Sequence, residues 1–169
     1  MSQENVDLVR RAVDAFNRRD LDAFVALTDD DVEVIPRSAA LEGGDHYHGH
    51  DGVRRWLKDL FGVFTDFTTE VVEAHDFGDV TLALLRQRAR GAGSDAPTEQ
   101  SIWNVSRWRR GKCIWWRAFE TRDEALEVAG LSEQDAPRPR DRTPSSDLGG
   151  GGAVEKRASS HHVYGHCGQ

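Results

Sequence analysis

Three groups of side chains in this 169-residue chain have the types and spacing to do chemistry. Asn104 and Glu120 sit on opposite arms of SIWNVSRWRRGKCIWWRAFE (101–120). A carboxylate in apolar surroundings has its pKa raised by desolvation, toward that of a working acid or base, and a carboxamide N–H can donate to a developing oxyanion. The alternative for Glu120 is a rim carboxylate, solvated or paired with an arginine. Glu33 in VEVIP adds a further carboxylate. The second group is Asp45-His46-Tyr47-His48-Gly49-His50-Asp51. On extended backbone its histidines would share a face, and an aspartate could complete a metal site. The loop is Gly-rich, however, and its spacing matches no strong zinc signature, so no metal is expected. Tyr47 and His48 are read instead as groups at a pocket mouth, for hydrogen bonding or proton transfer. The third group, HHVYGHC near the C-terminus, would have to order a Gly-rich segment for every ligand it fixed. No cofactor motif is present.

The elements that must position these groups begin with the hairpin at 101–120, which holds four of the five tryptophans. A two-residue loop would demand a positive φ at Arg110, which a non-glycine residue resists. The expectation is therefore a three-residue turn, Arg109-Arg110-Gly111, with Gly111 in the left-handed region and Trp108 opposite Lys112. Period-two alternation then places Ile102, Asn104, Ser106, Ile114, Trp116, Ala118 and Glu120 on one face. That mixture of apolar and a few polar groups suits a ligand pocket. The opposite face carries Trp103, Val105, Arg107, Trp115, Arg117 and Phe119. Aromatic and Arg-rich surfaces favour interfaces, so a homodimer through Trp103, Trp115 and Phe119 is expected. Solvated arginines among scattered aromatics are the alternative.

Ser2 can cap a helix in which Val6, Val9, Val13 and Phe16 recur at helical spacing, and Asp20 a short second one. The acidic turn Asp29-Asp30-Asp31 precedes a strand at VEVIP. The strongest helical pattern follows the histidine loop, with Val53, Trp56, Leu57, Leu60, Phe61 and Phe64 on one face. Of these, Trp56 and Phe61 are expected to line a pocket with Trp116. Strands at DFTTEVVEAHDF and VTLALLRQRARG flank Gly78-Asp79, and Thr121 with Glu124 forms a capping box for a last helix ending at Gly130. Helices segregated to one face of a curved antiparallel sheet make an α+β fold. Residues 1–133 form the domain. Residues 134–169, with three of five prolines and four consecutive glycines, cannot offset their ordering entropy and are expected to be a disordered tail.

Net charge is −7, which leaves no basic footprint for nucleic acid. No apolar run approaches the ~20 residues that span a bilayer, and MSQENVDLVRR lacks the core of a signal peptide, so a cytoplasmic protein is expected. Two cysteines do not make a disulfide framework.

VRRAVDAFNRRDLDAFVAL with TDDDVEV, then YHGHDGVRRWLKDLF, then GKCIWWRAFETRDEALEVAGL together resemble the SnoaL-like branch of the nuclear transport factor 2-like superfamily, over Met1 to about Glu133. The resemblance implies a bent sheet forming a cone with a deep apolar pocket, usually in a homodimer. It also implies a hydrophobic small-molecule ligand and a choice among isomerase, cyclase, lyase and purely binding roles on polyketide-like or other cyclic compounds. The superfamily's isomerases use a carboxylate base where this chain has Ile35, a tyrosine where it has Ala12, and an oxyanion acid where it has Asn104. Their chemistry is thus largely missing. Its epoxide hydrolases need two strand-borne aspartates around an arginine, whereas Arg86-Gln87-Arg88 offers none. In related sequences the YxGHxG segment chiefly starts the third helix, where Asp51 brings negative charge to its N-terminus.

Overall fold

The computed structural model describes residues 3–37, 46–64, 66–90 and 97–135. Ser2 and the expected tail from residue 136 onward lie outside the described residues. Helix α1 spans Glu4–Asn17 and follows Gln3, which makes no side-chain cap. Helix α2 (Leu21–Val25) is capped as expected, Asp20 accepting from the Ala23 N–H at 3.0 Å. Strand β1 (Thr28–Ile35) begins before the acidic run that had read as a turn. Its ladder shifts register between Thr28 and Glu33, and this irregular stretch accommodates Asp29 to Asp31 within the strand.

The two-residue strand β2 (Tyr47–His48) leads directly into helix α3 (Gly49–Val63), whose first residue takes φ +65. Gly52 allows the helix to pass close to β2, since a Cβ there would meet the Tyr47 backbone at 3.1 Å. Strands β3 (Thr68–Asp76), β4 (Val80–Arg90), β5 (Pro97–Arg109) and β6 (Lys112–Phe119) form an antiparallel meander. Helix α4 (Arg122–Ala129) closes the domain between the expected capping box and Gly130 at φ +73. The sheet order is β2-β1-β6-β5-β4-β3. Its one parallel pair among the described strands, β1 with β6, departs from the antiparallel expectation.

The hairpin corrects the turn expectation and preserves its consequence. Arg109 pairs with Lys112, leaving a two-residue loop in which Arg110 (φ +52) and Gly111 (φ +73) both adopt left-handed backbone. A shorter loop alone would turn one strand's side chains to the wrong face. A register shift restores the pairing: Trp108 stands opposite Cys113, but Arg107 stands opposite Trp115. Ile114 is the inserted residue. Asn104, Ser106, Trp116 and Ala118 therefore share a face as expected, with Asn104 opposite Ala118 and Ser106 opposite Trp116. Beyond the bulge Cys113, rather than Ile114, joins that face.

Each sheet face has its own core. The inner face packs against α1, α2 and α3 through residues such as Phe16, Val25, Val53, Trp56, Leu85 and Ile102. On the outer face Leu82, Trp103, Val105 and Phe119 pack against Ala125, Leu126 and Ala129 of α4. Trp103 and Phe119 are only 8% and 6% exposed. The chain's own last helix thus covers much of the aromatic surface assigned to a partner. An Arg107 guanidinium N–H donates to the Val128 carbonyl at 3.0 Å, satisfying an end of that helix. Among the described residues no helix is long and apolar enough to cross a membrane.

Candidate functional site

Alternation along the strands turns one set of side chains toward α1 and α3, and between them lies an empty space of about 780 Å³, open mouth included. Its walls are almost wholly apolar. Val9 and Phe16 come from α1, Val32 and Val34 from β1, Trp56 and Leu60 from α3. The Trp56 and Trp116 rings lie 5.2 Å apart between centroids, so helix and sheet meet as one aromatic wall. Its apolar lining with a few polar groups has the character of a small-molecule pocket.

Two polar atoms are stranded in that wall. Asn104 is 1% exposed, its Oδ1 accepts from Ser106 Oγ at 2.9 Å, and its Nδ2 has no partner. The reason lies in the neighbouring strands: the residues beside it are Ala83 on β4 and Ala118 on β6, neither of which can reach it. The Ser106 hydroxyl can donate or accept, so this pair offers the cavity one polar atom whichever way the amide lies. Thr69 Oγ1 is likewise buried without a partner and lines the same space. An unsatisfied buried polar atom costs ~1–3 kcal/mol, a cost that an oxygen-bearing ligand would remove.

No carboxylate or imidazole stands among the described lining residues. The titratable group that does is Cys113. Burial pushes its thiol up to about 12, so at neutral pH it is protonated and a poor nucleophile; its Sγ donates to the Trp115 carbonyl at 3.3 Å.

Of the residues expected to form the site, Asn104, Trp56 and Trp116 line the cavity. Ala118 is buried beside Asn104 and belongs to the surrounding core. Ile35 is also buried, but alternation places it opposite to cavity-lining Val34, next to Arg117. Phe61 packs outside the lining, 5.1 Å from the Phe16 ring and beneath the Arg19 guanidinium. Tyr47 packs against the inner core under Arg55. Glu120 is exposed, with Arg37 at 3.9 Å, and His48 is exposed at the sheet edge. The sequence reading did not single out Thr69, Gln87, Trp108 and Cys113, all of which line the cavity. Trp108 had a signal, since it lies an even number of residues from Asn104; Cys113 had none, because the bulge reverses its parity.

The histidine segment divides. His50 points along β1, its Nε2 3.3 Å from the Thr28 carbonyl and 3.6 Å from Asp30. His46 and His48 remain together with Glu33, the three offering ligand atoms all within 4.8 Å of one another.

The SnoaL-like domain family matches residues 9–118 of the chain. Among solved structures, an NTF2-like protein of unknown function from Burkholderia pseudomallei superposes with a TM-score of 0.64 at 22% identity, covering 76% of this chain and 98% of that one. A ketosteroid isomerase-like protein from Catenulispora acidiphila, in complex with trimethylamine, gives 0.61 at 15% identity, over 77% and 97%. TerC, co-crystallised with polyporic acid, gives 0.63 at 16% identity, over 75% and 98%. At these identities the structures are similar in fold alone. No curated protein sequence matches the chain.

Proposed function

We propose, from the premise that the chain belongs to the SnoaL-like domain family, that it binds one apolar, cyclic small molecule bearing a hydroxyl or carbonyl oxygen. The observation that carries this is a cavity lined by Trp56, Trp116, Phe16 and aliphatic side chains in which Asn104 Nδ2 and Thr69 Oγ1 lack partners. Burial of the ligand's rings supplies most of the affinity, ~25 cal/mol per Å² of apolar surface, while the amide fixes its orientation. TerC, similar in fold, was co-crystallised with a small molecule, polyporic acid.

A lyase, isomerase or cyclase step is the second reading, and Asn104 favours it, because an amide donor aimed at a carbonyl can stabilise an enolate-like oxyanion. Such a step also needs a proton acceptor within about 3 Å of the reacting carbon. The described lining supplies none, and Glu120 and His48 stand away from it, so binding is preferred over turnover.

Extraction of the purified protein followed by mass spectrometry, and titration with cyclic ketones and phenols followed by tryptophan fluorescence, test the proposal. The expected result is saturable quenching at one ligand per chain, through Trp56 and Trp116. Absence of both a co-purifying compound and saturable quenching would overturn it, and conversion of the bound compound would move the reading to catalysis.

The same proposal includes a homodimer through the outer sheet face. Its support is half-buried Trp115 with the Arg107 guanidinium 5.8 Å from its ring, an Arg-aromatic pair of the kind interfaces use. Light scattering at micromolar concentration should give twice the chain mass; the mass of a single chain would refute this part.

A further inference from the structure

We infer that Glu33, His46 and His48 form a binding site for a zinc-class divalent cation on the outer edge of the sheet, apart from the ligand cavity. Two neutral imidazoles and a carboxylate make a donor set suited to Zn²⁺, Co²⁺ or Ni²⁺ and poorly suited to Ca²⁺ or Mg²⁺, which prefer oxygen.

Backbone pairing is what assembles the set. Strand β2 runs antiparallel to β1 with His48 opposite Glu33, so their side chains leave the sheet on the same side. His46 lies two residues before His48 and emerges on that side as well. The two imidazole centroids are 6.4 Å apart, and His46 Nδ1 already lies 2.8 Å from Glu33 Oε1. All three donor atoms fall within 4.8 Å of one another. Ligand bonds of about 2.0–2.2 Å in a tetrahedral arrangement need donors roughly 3.3 Å apart. Small rotations of exposed imidazoles close that gap without moving backbone.

The backbone is held from both sides. Val34 pairs with Tyr47 in the same short ladder, and the close passage of Gly52 fixes Tyr47 against α3. Glu33 belongs to β1, which is also paired with β6. None of the three residues lines the cavity, so the inferred site has no direct part in the binding reading and stands or falls independently of it. The ion would take the place of the direct contact between His46 Nδ1 and Glu33 Oε1 and leave its remaining positions to water. It would fasten a two-residue edge strand to the sheet.

The C-terminal segment HHVYGHC offers competing donors, so the test uses the full chain carrying His161→Ala, His162→Ala, His166→Ala and Cys167→Ala. Calorimetric titration with zinc chloride at pH 7.5 should show one ion per chain. Adding His48→Ala or Glu33→Gln should weaken binding by about tenfold or more. His50→Ala, which removes a ring turned toward Thr28 and Asp30, should not. Cobalt(II) bound at the site should show ligand-field absorption with no thiolate charge-transfer band. Zinc should raise the thermal midpoint of this chain and leave that of the His48→Ala version unchanged, since an ion that binds only the folded state stabilises it. Loss of zinc binding on the tail substitutions alone, or binding indifferent to both His48→Ala and Glu33→Gln, would overturn the inference.

Discussion

Replacing Trp56 with alanine should lower folding stability by about 3 kcal/mol and remove most ligand affinity. Trp56 is 8% exposed and touches three aromatic side chains, with ring centroids 6.4 Å from Phe16, 6.2 Å from Phe24 and 5.2 Å from Trp116. It is the point at which α1, α2 and β6 all meet α3. Truncating a buried Trp typically costs about 3–5 kcal/mol, part of it from the void left behind. The low end applies because this side chain already borders a cavity and lacks neighbours on that side. Urea denaturation followed by far-ultraviolet circular dichroism measures the loss. For a domain of this size, a 3 kcal/mol decrease moves the urea midpoint down by more than about 1 M. The enlarged pocket would lose half of its aromatic wall, so saturable quenching of the remaining tryptophans should weaken by at least about tenfold. An unchanged midpoint would mean that the three ring contacts contribute nothing net. An unchanged affinity with a lowered midpoint would mean that Trp56 is core and not pocket wall.

The elements were legible wherever periodicity and caps agreed. Val53, Trp56, Leu57 and Leu60 announced α3, and Thr121, Glu124 and Gly130 marked both ends of α4. Register was less legible. The sequence argued correctly that a positive φ at Arg110 is unfavourable, ~1–2 kcal/mol for an L-residue, yet the chain accepts that conformation. A loop is local, whereas register is decided by what must be buried. Turning Trp116 and Ala118 outward on their strand would also turn Trp115 and Phe119 inward, against helices already packed on the other residues. One strained residue plus one bulge costs less than mispacking two cores. No local signal in KCIWW revealed that bulge.

The site was legible in part for the same reason. Asn104, Trp56 and Trp116 follow from alternation within regular stretches, and they line the cavity. Glu120 shares their parity and still ends exposed, because the strand stops at Phe119 and the chain turns into the cap of α4. Parity predicts direction only while pairing continues. Glu33, His46 and His48 could not be grouped from sequence, since their approach depends on β2 pairing with β1 at a separation of 13 positions between Glu33 and His46. What the sequence did contain was the condition for it: histidines at alternate positions that share a face if the segment is extended.

Asn104→Asp should be the most pH-dependent substitution in the protein. The change is nearly isosteric, so packing against Ala83 and Ala118 is kept, but a carboxyl replaces an amide at a position 1% exposed, in apolar surroundings. No cationic side chain lines the cavity among the described residues. Desolvation would therefore raise the new carboxyl's folded-state pKa, by about three units at such a depth. A raised folded pKa means that the unfolded chain binds fewer protons over the interval. Stability relative to the unsubstituted protein is then preserved below about pH 4, where both states are protonated. It falls as pH rises, by about 1.4 kcal/mol per unit, and levels off near pH 7 some 4 kcal/mol lower. Below that plateau the neutral acid could still donate a hydrogen bond to a ligand oxygen, as the amide does, so ligand affinity measured at pH 5 should survive. Asn104→Leu separates the two effects: it removes the stranded amide without adding charge. Together with Ser106→Ala it should leave stability equal or up to about 1 kcal/mol higher, because both members of a buried polar pair are replaced by apolar groups. Affinity for a ligand bearing the matching oxygen should nonetheless drop by at least about tenfold. Denaturation curves from pH 4 to 8 on the three proteins, with ligand titrations at pH 5, decide the matter. A flat pH profile for Asn104→Asp would show that water reaches position 104. Full affinity in Asn104→Leu would remove Asn104 from the site.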